Sequence, residues 1–208
     1  MSRALDYLRE KRDEGTPGSE VFAGLRVRLR PVKEDDIEQL LKWDSDEEIT
    51  RWTGKHFDNS EDARAWYLHN RHPFRRTMVI ELDDGRPIGE VEVVNIAWRS
   101  GIAEIRVVIG DKSLWNRGLG RDAVYTFVRG LFQTTSLREI FLRVDSNNVR
   151  ARRCYRKVGF RAQGRVWVPG ESGAERSRCL ILMSITQDEL EQRLPTIEAK
   201  NEATEAWM

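Results

Sequence analysis

The sequence predicts an α+β fold: one mixed, mostly antiparallel sheet of about seven strands with helices on both faces. Three observations carry that expectation. Apolar runs at residues 77–82, 88–97 and 102–109 follow one another across the turns Asp83-Asp84-Gly85 and Arg99-Ser100-Gly101, the pattern of an antiparallel meander. Beyond residue 118, helical periodicity alternates with short apolar runs, so a later strand can run parallel to its neighbour across a helical crossover. Between the two regimes lies Leu114-Trp115-Asn116-Arg117-Gly118-Leu119-Gly120-Arg121-Asp122-Ala123, with paired glycines where a strand gives way to a helix.

Taken in order, residues 1–24 read as an N-terminal extension, with helical spacing at Ala4, Leu5, Tyr7 and Leu8 before the loop-forming cluster Glu14 to Ser19. The main domain is expected over residues 25–186. Residues 25–30 alternate apolar with charged, as a half-buried strand does, and Pro31 ends the run. Glu34, Asp35 and Asp36 favour the start of a helix that buries Ile37, Leu40, Leu41 and Trp43. An acidic segment, residues 44–54, precedes a helix capped by Asn59 or Ser60 and running to about residue 70. After the meander, a helix over 119–132 turns Ala123, Val124, Phe127, Val128 and Leu131 to one side. A strand at 139–144 leads to Asp145-Ser146-Asn147-Asn148. The following helix carries Ala151, Cys154, Tyr155 and Val158 on one stripe and closes at Gly159. Strands over 160–168 and 179–185 flank the loop 169–176, and residues 187–208 form a short helix and a polar tail.

Composition narrows the function. The 208 residues suffice for one well-buried domain. Lys and Arg total 35 against 34 Asp and Glu, so no basic excess marks a nucleic-acid partner. The two cysteines, Cys154 and Cys179, lack metal-ligand spacing and suit a reducing compartment, and no metal is expected. No apolar run reaches membrane length, and the charged N-terminus lacks a signal-peptide core. A cytoplasmic protein without a membrane partner is the expectation.

The glycine-rich loop is where chemistry concentrates. Its glycines let backbone N–H groups approach an anion, and the helix that starts there adds unpaired donors and the positive end of its dipole. Arg117 and Arg121 bracket it with charge, which reads as a site for a pyrophosphate. Gly118-x-Gly120-x-x-Ala123 formally matches a dinucleotide fingerprint. Two features count against that assignment. The glycines stand well beyond the strand ending at Ile109, and that strand closes a meander where the fingerprint requires the first strand of parallel βαβ units.

The loop resembles motif A of the GNAT superfamily of acyl-coenzyme A-dependent N-acyltransferases, Arg/Gln-x-x-Gly-x-Gly/Ala opening a long helix. Trp115 stands at the first position, a departure similar to the branch of RimJ/RimL protein N-terminal and spermidine acetyltransferases. Asn148-x-x-Ala151-x-x-x-Tyr155-x-Lys157-x-Gly159-Phe160 resembles motif B. Leu29-Arg30-Pro31 followed by Asp35-Asp36 resembles the opening of that branch. The resemblance covers about residues 25–186.

It implies an acetyl-CoA-dependent N-acetyltransferase that acts by direct attack of a primary amine on the thioester. In that reading Trp115, Asn116, Arg117, Gly118, Leu119, Gly120 and Arg121 surround the diphosphate, and Val108, Ile109 and Gly110 form the edge that pairs with the pantetheine arm. Superfamily members often carry a bulge that splays this strand from the next; no bulge is legible here. Tyr155 is the general acid at the sulfur, with simple packing on its helix as the other reading. Asn148 caps its helix or bonds the coenzyme, with Asn147 competing for the cap. Glu104 is the base, directly or through water, or else a cross-strand ion pair with Arg106 beside it. Glu90 and Glu92 stand in reserve, while His56, His69 and His72 read as solvated loop residues. The acceptor is expected between residues 44–56 and the loop 169–176, with Asp44, Asp46, Glu47 and Glu48 drawing a cation and Trp52 and Trp167 as walls. Several of these carboxylates also suit a solvated helix start. Protein N-termini, polyamines and aminoglycosides all remain acceptors in this reading, a non-catalytic acyl-CoA-binding module is its rival, and the branch is compatible with a homodimer.

Overall fold

The computed structural model describes residues 20–53, 57, 59–68, 74–169 and 177–193. Its strands are β1 (Phe22–Ala23), β2 (Arg28–Pro31), β3 (Arg76–Glu81), β4 (Pro87–Ala97), β5 (Ile102–Ile109), β6 (Glu139–Asp145), β7 (Arg161–Val168) and β8 (Arg178–Thr186). Its α-helices are α1 (Ile37–Asp44), α2 (Glu47–Thr53), α3 (Ser60–Leu68), α4 (Leu119–Thr134), α5 (Val149–Val158) and α6 (Gln187–Glu191). The strands form one open sheet in the order β1-β2-β3-β4-β5-β6-β8-β7. All neighbours are antiparallel except β5 and β6, which α4 connects in parallel.

The sheet has eight strands where about seven were expected. The additional one, β1, is too short to show alternation in sequence. It pairs with Arg28 and Leu29, and Phe22 packs over Gly130 of α4, where a side chain would collide with its ring. Residues 47–53, legible only as acidic, form α2, because the Asp46 carboxylate accepts the Glu48 amide at 3.0 Å and caps the turn.

Helices cover both faces. On one, Leu119, Ala123, Val124, Phe127 and Leu131 of α4 meet Val91, Val93, Ala103 and Ile105 of the sheet. On the other, Ile37, Leu40, Trp43, Ile49 and Tyr67 from α1, α2 and α3 pack with Val108 and Trp115. The period-2 alternation of β5 divides it between the two: Ala103 and Ile105 go to α4, Val108 to the other face.

A buried ion pair turns the chain from β2 into α1. The Arg30 guanidinium donates to both oxygens of Asp36, at 2.6 and 2.9 Å, and its Nε donates to Glu81 of β3. The Lys33 amide donates to Asp36 at 2.7 Å, which draws Glu34–Asp36 into a tight helical turn. Burial opposes the Asp36 charge, but the Arg30 and Lys33 hydrogen bonds outweigh it and hold the carboxyl below the usual range. Removing Asp36 leaves the buried guanidinium with Glu81 as its remaining ion-pair partner and two of its donors unmatched. Asp36→Ala is therefore expected to cost about 1–3 kcal/mol in urea unfolding. Because the folded carboxyl is the stronger acid, its contribution is present above about pH 4 and lost as pH falls below it. A loss under about 0.5 kcal/mol would show that Arg30 is satisfied without Asp36.

Candidate functional site

The parallel pairing that closes the sheet between β5 and β6 is brief. Ile102, Ala103 and Glu104 pair with Glu139, Ile140 and Phe141, and there it ends. β6 continues against β8 to Asp145 while β5 continues against β4 to Ile109, so the two strands part. The register shift near this point lies on β4, between Val94 and Ala97, where Asn95 adopts φ 51°. Asn95 donates to Glu104 at 2.8 Å, and Arg143 of β6 donates to both Glu104 oxygens at 3.0 and 2.9 Å. The ion pair of Glu104 is thus with Arg143 across the parting, not with its strand neighbour Arg106.

Beyond the parting, one edge of β5 carries no strand. Hydrogen-bonding direction alternates along a strand. The Gly110 amide donates to the Ile88 carbonyl of β4 at 2.9 Å, so Val108 also faces β4 while Val107 and Ile109 face the open edge. Trp115 Nε1 donates to the Ile109 carbonyl at 2.7 Å and ties the following loop back onto that edge. The Arg150 guanidinium stacks 3.5 Å from the Trp115 ring centre, which makes Trp115 a bridge between the loop and α5.

A cavity of about 590 Å³ fills the space between the open edge, the loop and α5. Of the residues expected at the site, Val108, Ile109, Trp115, Asn116, Arg117, Gly118, Gly120, Arg121, Asn148 and Tyr155 line it. Gly110, Leu119 and Glu104 stand outside that lining. Gly110 presses against the Trp43 ring of α1 and directs its amide to β4, Leu119 points into the core, and Glu104 is held at the parting. Sequence reasoning missed Arg26, Ile49, Val107, Arg150 and Arg153, which also line the cavity. Only strand parity could have brought out Val107, and nothing local marks the others.

The loop geometry suits an anion. Gly118 sits at φ 84°, the left-handed region where glycine is unstrained, and Asn116 at φ 63°. Gly118 is the N-cap of α4, and the first-turn amides of Leu119 and Gly120 have no carbonyl one turn earlier within the helix. Arg26, Arg117, Arg121, Arg150, Arg153 and Lys157 all line the cavity, and no carboxylate does among the described residues. A cavity lined in this way suits a polyanion.

Tyr155 lines the same cavity. Burial, with Cys154 alongside, pushes its phenol well above the ordinary tyrosine value, so it keeps its proton. The ring leans on Phe160, 5.9 Å between centres. Asn148 caps α5 by accepting the Ala151 amide at 3.0 Å, which resolves its competition with Asn147, whose own amide donates to Asp145. Burial pushes the Cys154 thiol up to about 11 against the pull of Arg121 and Lys157, so it is not a thiolate near neutrality.

The acidic segment is largely absorbed by structure. Asp44 accepts from Tyr67 at 2.6 Å, and Lys112 bridges Asp46 and Glu48 at 2.7 and 3.2 Å. Trp52 lines the cavity, but Trp167 stands 68% exposed on the edge strand β7. Glu92 accepts from Trp66 and Thr77, both at 3.0 Å, and Glu90 lies buried on the same face. His56, His69 and His72 and most of the loop 169–176 lie outside the described residues. Among the described residues no group of three His, Cys, Asp or Glu is placed to hold a metal ion, and no helix is long and apolar enough to cross a membrane.

Comparison with known proteins adds to this geometry. The family model described as acetyltransferase (GNAT) domain matches residues 26–161. Spermidine N(1)-acetyltransferase of Escherichia coli (strain K12) is 28% identical over 140 residues, 66% of this chain and 74% of that protein. Aminoglycoside N(6')-acetyltransferase type 1 of Klebsiella pneumoniae is 27% identical over 161 residues, 69% of this chain and 78% of that one. Mycobacterium smegmatis RimJ in complex with CoA-disulfide shares the fold at a TM-score of 0.70 and 23% identity, over 82% of this chain and 89% of that chain.

The buried phenols yield a pH test. For Tyr67 burial dominates, with Glu90 and Asp44 adding to it, and for Tyr155 burial again leads; both are raised. A raised acid stabilises the fold below its unfolded value and loses that contribution as pH rises through the folded one. Tyrosinate absorbance is expected to leave both phenols protonated in native protein up to about pH 11 and to release them together on alkaline unfolding. The Tyr67→Phe/Tyr155→Phe protein should then show the same native titration and a smaller unfolding step. A native titration curve altered by either substitution would contradict this.

Proposed function

The chain belongs to the acetyltransferase (GNAT) domain family, and from that premise we propose that it transfers the acetyl group of acetyl-CoA to a primary amine by direct attack on the thioester. The observation that carries the proposal is the open edge of β5 running into the glycine loop within one cavity. A pantetheine arm is an extended chain with amide groups, which can pair with the Val107 and Ile109 backbone as a strand would. Its diphosphate then meets the amides that open α4 and the charges of Arg117 and Arg121.

In the reaction the neutral amine nitrogen attacks the thioester carbonyl carbon. The tetrahedral intermediate collapses with loss of the C–S bond, and the Tyr155 phenol protonates the leaving thiolate. A free alkyl amine is protonated below about pH 10, so a proton must leave it before or during attack. Both oxygens of Glu104 are engaged by Arg143, and Asn95 donates to one of them. We therefore assign Glu104 to holding the parting in place, with water taking the amine proton. Holding the thioester rigidly in the parting supplies the rest, by orientation.

For the acceptor, the spermidine and aminoglycoside enzymes similar to this chain favour a small cationic amine. A cytoplasmic setting accords with Cys154 and Cys179 as free thiols.

The test is release of free CoA from acetyl-CoA against polyamines, aminoglycosides and peptides with free N-termini. Turnover is expected with a polyamine or an aminoglycoside. Turnover with peptides alone would overturn the acceptor class. Coenzyme binding with no turnover on any acceptor would favour a binding module. On the best acceptor, Tyr155→Phe is expected to lower kcat about 10²-fold or more with CoA affinity nearly unchanged. An unchanged kcat, with chemistry rate-limiting, would remove the acid role.

A further inference from the structure

Arg26 does not belong to the glycine loop, yet it reaches it. It lies in the turn between β1 and β2, and its Nη1 donates to the Arg117 carbonyl at 2.7 Å. The guanidinium sits over the N-terminus of α4, with Nη1 3.7 Å from where a Gly118 side chain would begin. The same residue is held by its backbone. Asp122, in the first turn of α4, accepts the Arg26 amide at 2.6 Å and the Leu25 amide at 3.2 Å.

The turn itself is built to sit this close. Gly24 closes it by donating to the Val27 carbonyl at 2.8 Å, and Thr126 and Asp122 of α4 occupy the space a side chain at Gly24 would need. An acidic residue at this position of a helix normally serves the helix dipole. Here its two oxygens are spent on seating a cation where an anion is expected.

We infer that Arg26 is a phosphate-binding residue of the site, carried to the α4 N-terminus by Asp122 and aimed at the diphosphate of the coenzyme. This rests on the acetyl-CoA reading above. One N–H of the guanidinium fork is used on the loop carbonyl, which fixes the plane and leaves the outer donors to the cavity that Arg26 lines. The β1–β2 turn thereby becomes part of the coenzyme site, far in sequence from the loop it completes.

The experiment measures CoA affinity by calorimetry, at low and high salt, for the full chain and for Arg26→Lys and Arg26→Gln. Gln retains a donor for the Arg117 carbonyl and removes the charge; Lys keeps the charge. Arg26→Gln is expected to bind CoA about tenfold more weakly, with a shallower dependence on salt, while Arg26→Lys keeps most of the affinity and the salt dependence. Asp122→Asn should weaken binding in the same direction, with Arg26 still present but less firmly seated. If Arg26→Gln binds CoA within about twofold of the unaltered chain with an equal salt slope, Arg26 is only a structural tie to the loop and the inference falls. A loss equal in Arg26→Lys and Arg26→Gln with an unchanged salt slope would overturn it too. If the unaltered chain binds no CoA, the acetyl-CoA reading fails first and this inference with it.

Discussion

The parting of β5 from β6 is the constraint on which the rest of the site depends. A parallel pair joined by a helical crossover would ordinarily stay paired along its length, and a closed sheet would have no room for an extended ligand. Here the two strands share only Ile102–Glu104 against Glu139–Phe141. Glu104 is the last residue of β5 paired with β6, and Arg143, just past that pairing on β6, grips both of its oxygens. Asn95, at the irregular point of β4, holds the same carboxylate from the other side. One buried carboxylate thus joins three strands where the sheet opens.

Everything the cavity offers follows from that opening. Val107 and Ile109 keep backbone groups on an edge that no strand covers, and the chain leaves that edge directly into the glycine loop. Trp115 then returns to bond the Ile109 carbonyl, so the loop cannot drift from the strand it follows. Tyr155 arrives from α5, which packs beside α4 and adds its side chain to the lining of the same space. Basic side chains, an open strand edge and a protonated phenol line one cavity.

Much of this site was legible because its signals are local. Gly118 and Gly120 declare themselves by spacing and by the helix that follows, and Asn148 and Tyr155 by their place on a short helix closed by Gly159. Leu29-Arg30-Pro31 with Asp36 was legible as a pattern, but its reason, a buried guanidinium bridging Asp36 and Glu81, needs β3 to be in place. What could not be read depends on register or on distant contacts. Gly110 was expected on the open edge, yet the pairing with β4 fixes hydrogen-bond direction, and Gly110 falls on the closed side while Val107 takes the open one. Arg26 and Arg117 are 91 residues apart, and no local pattern announces their contact. The acidic run at 44–48 looked like an attractor for cations; Lys112 pairs with Asp46 and Glu48, and Asp44 accepts from Tyr67, partners distant in sequence.

In the proposed reading, coenzyme A completes the open edge of β5 as a strand would. Amide hydrogen exchange followed residue by residue, with and without CoA, reads that pairing at the atoms involved. CoA is expected to slow exchange at Val107 and Ile109 on the edge and at Leu119 and Gly120 at the helix start. Gly110, already bonded to Ile88, should hardly change. Slowing confined to the loop, with Val107 and Ile109 unaffected while CoA is bound, would contradict it.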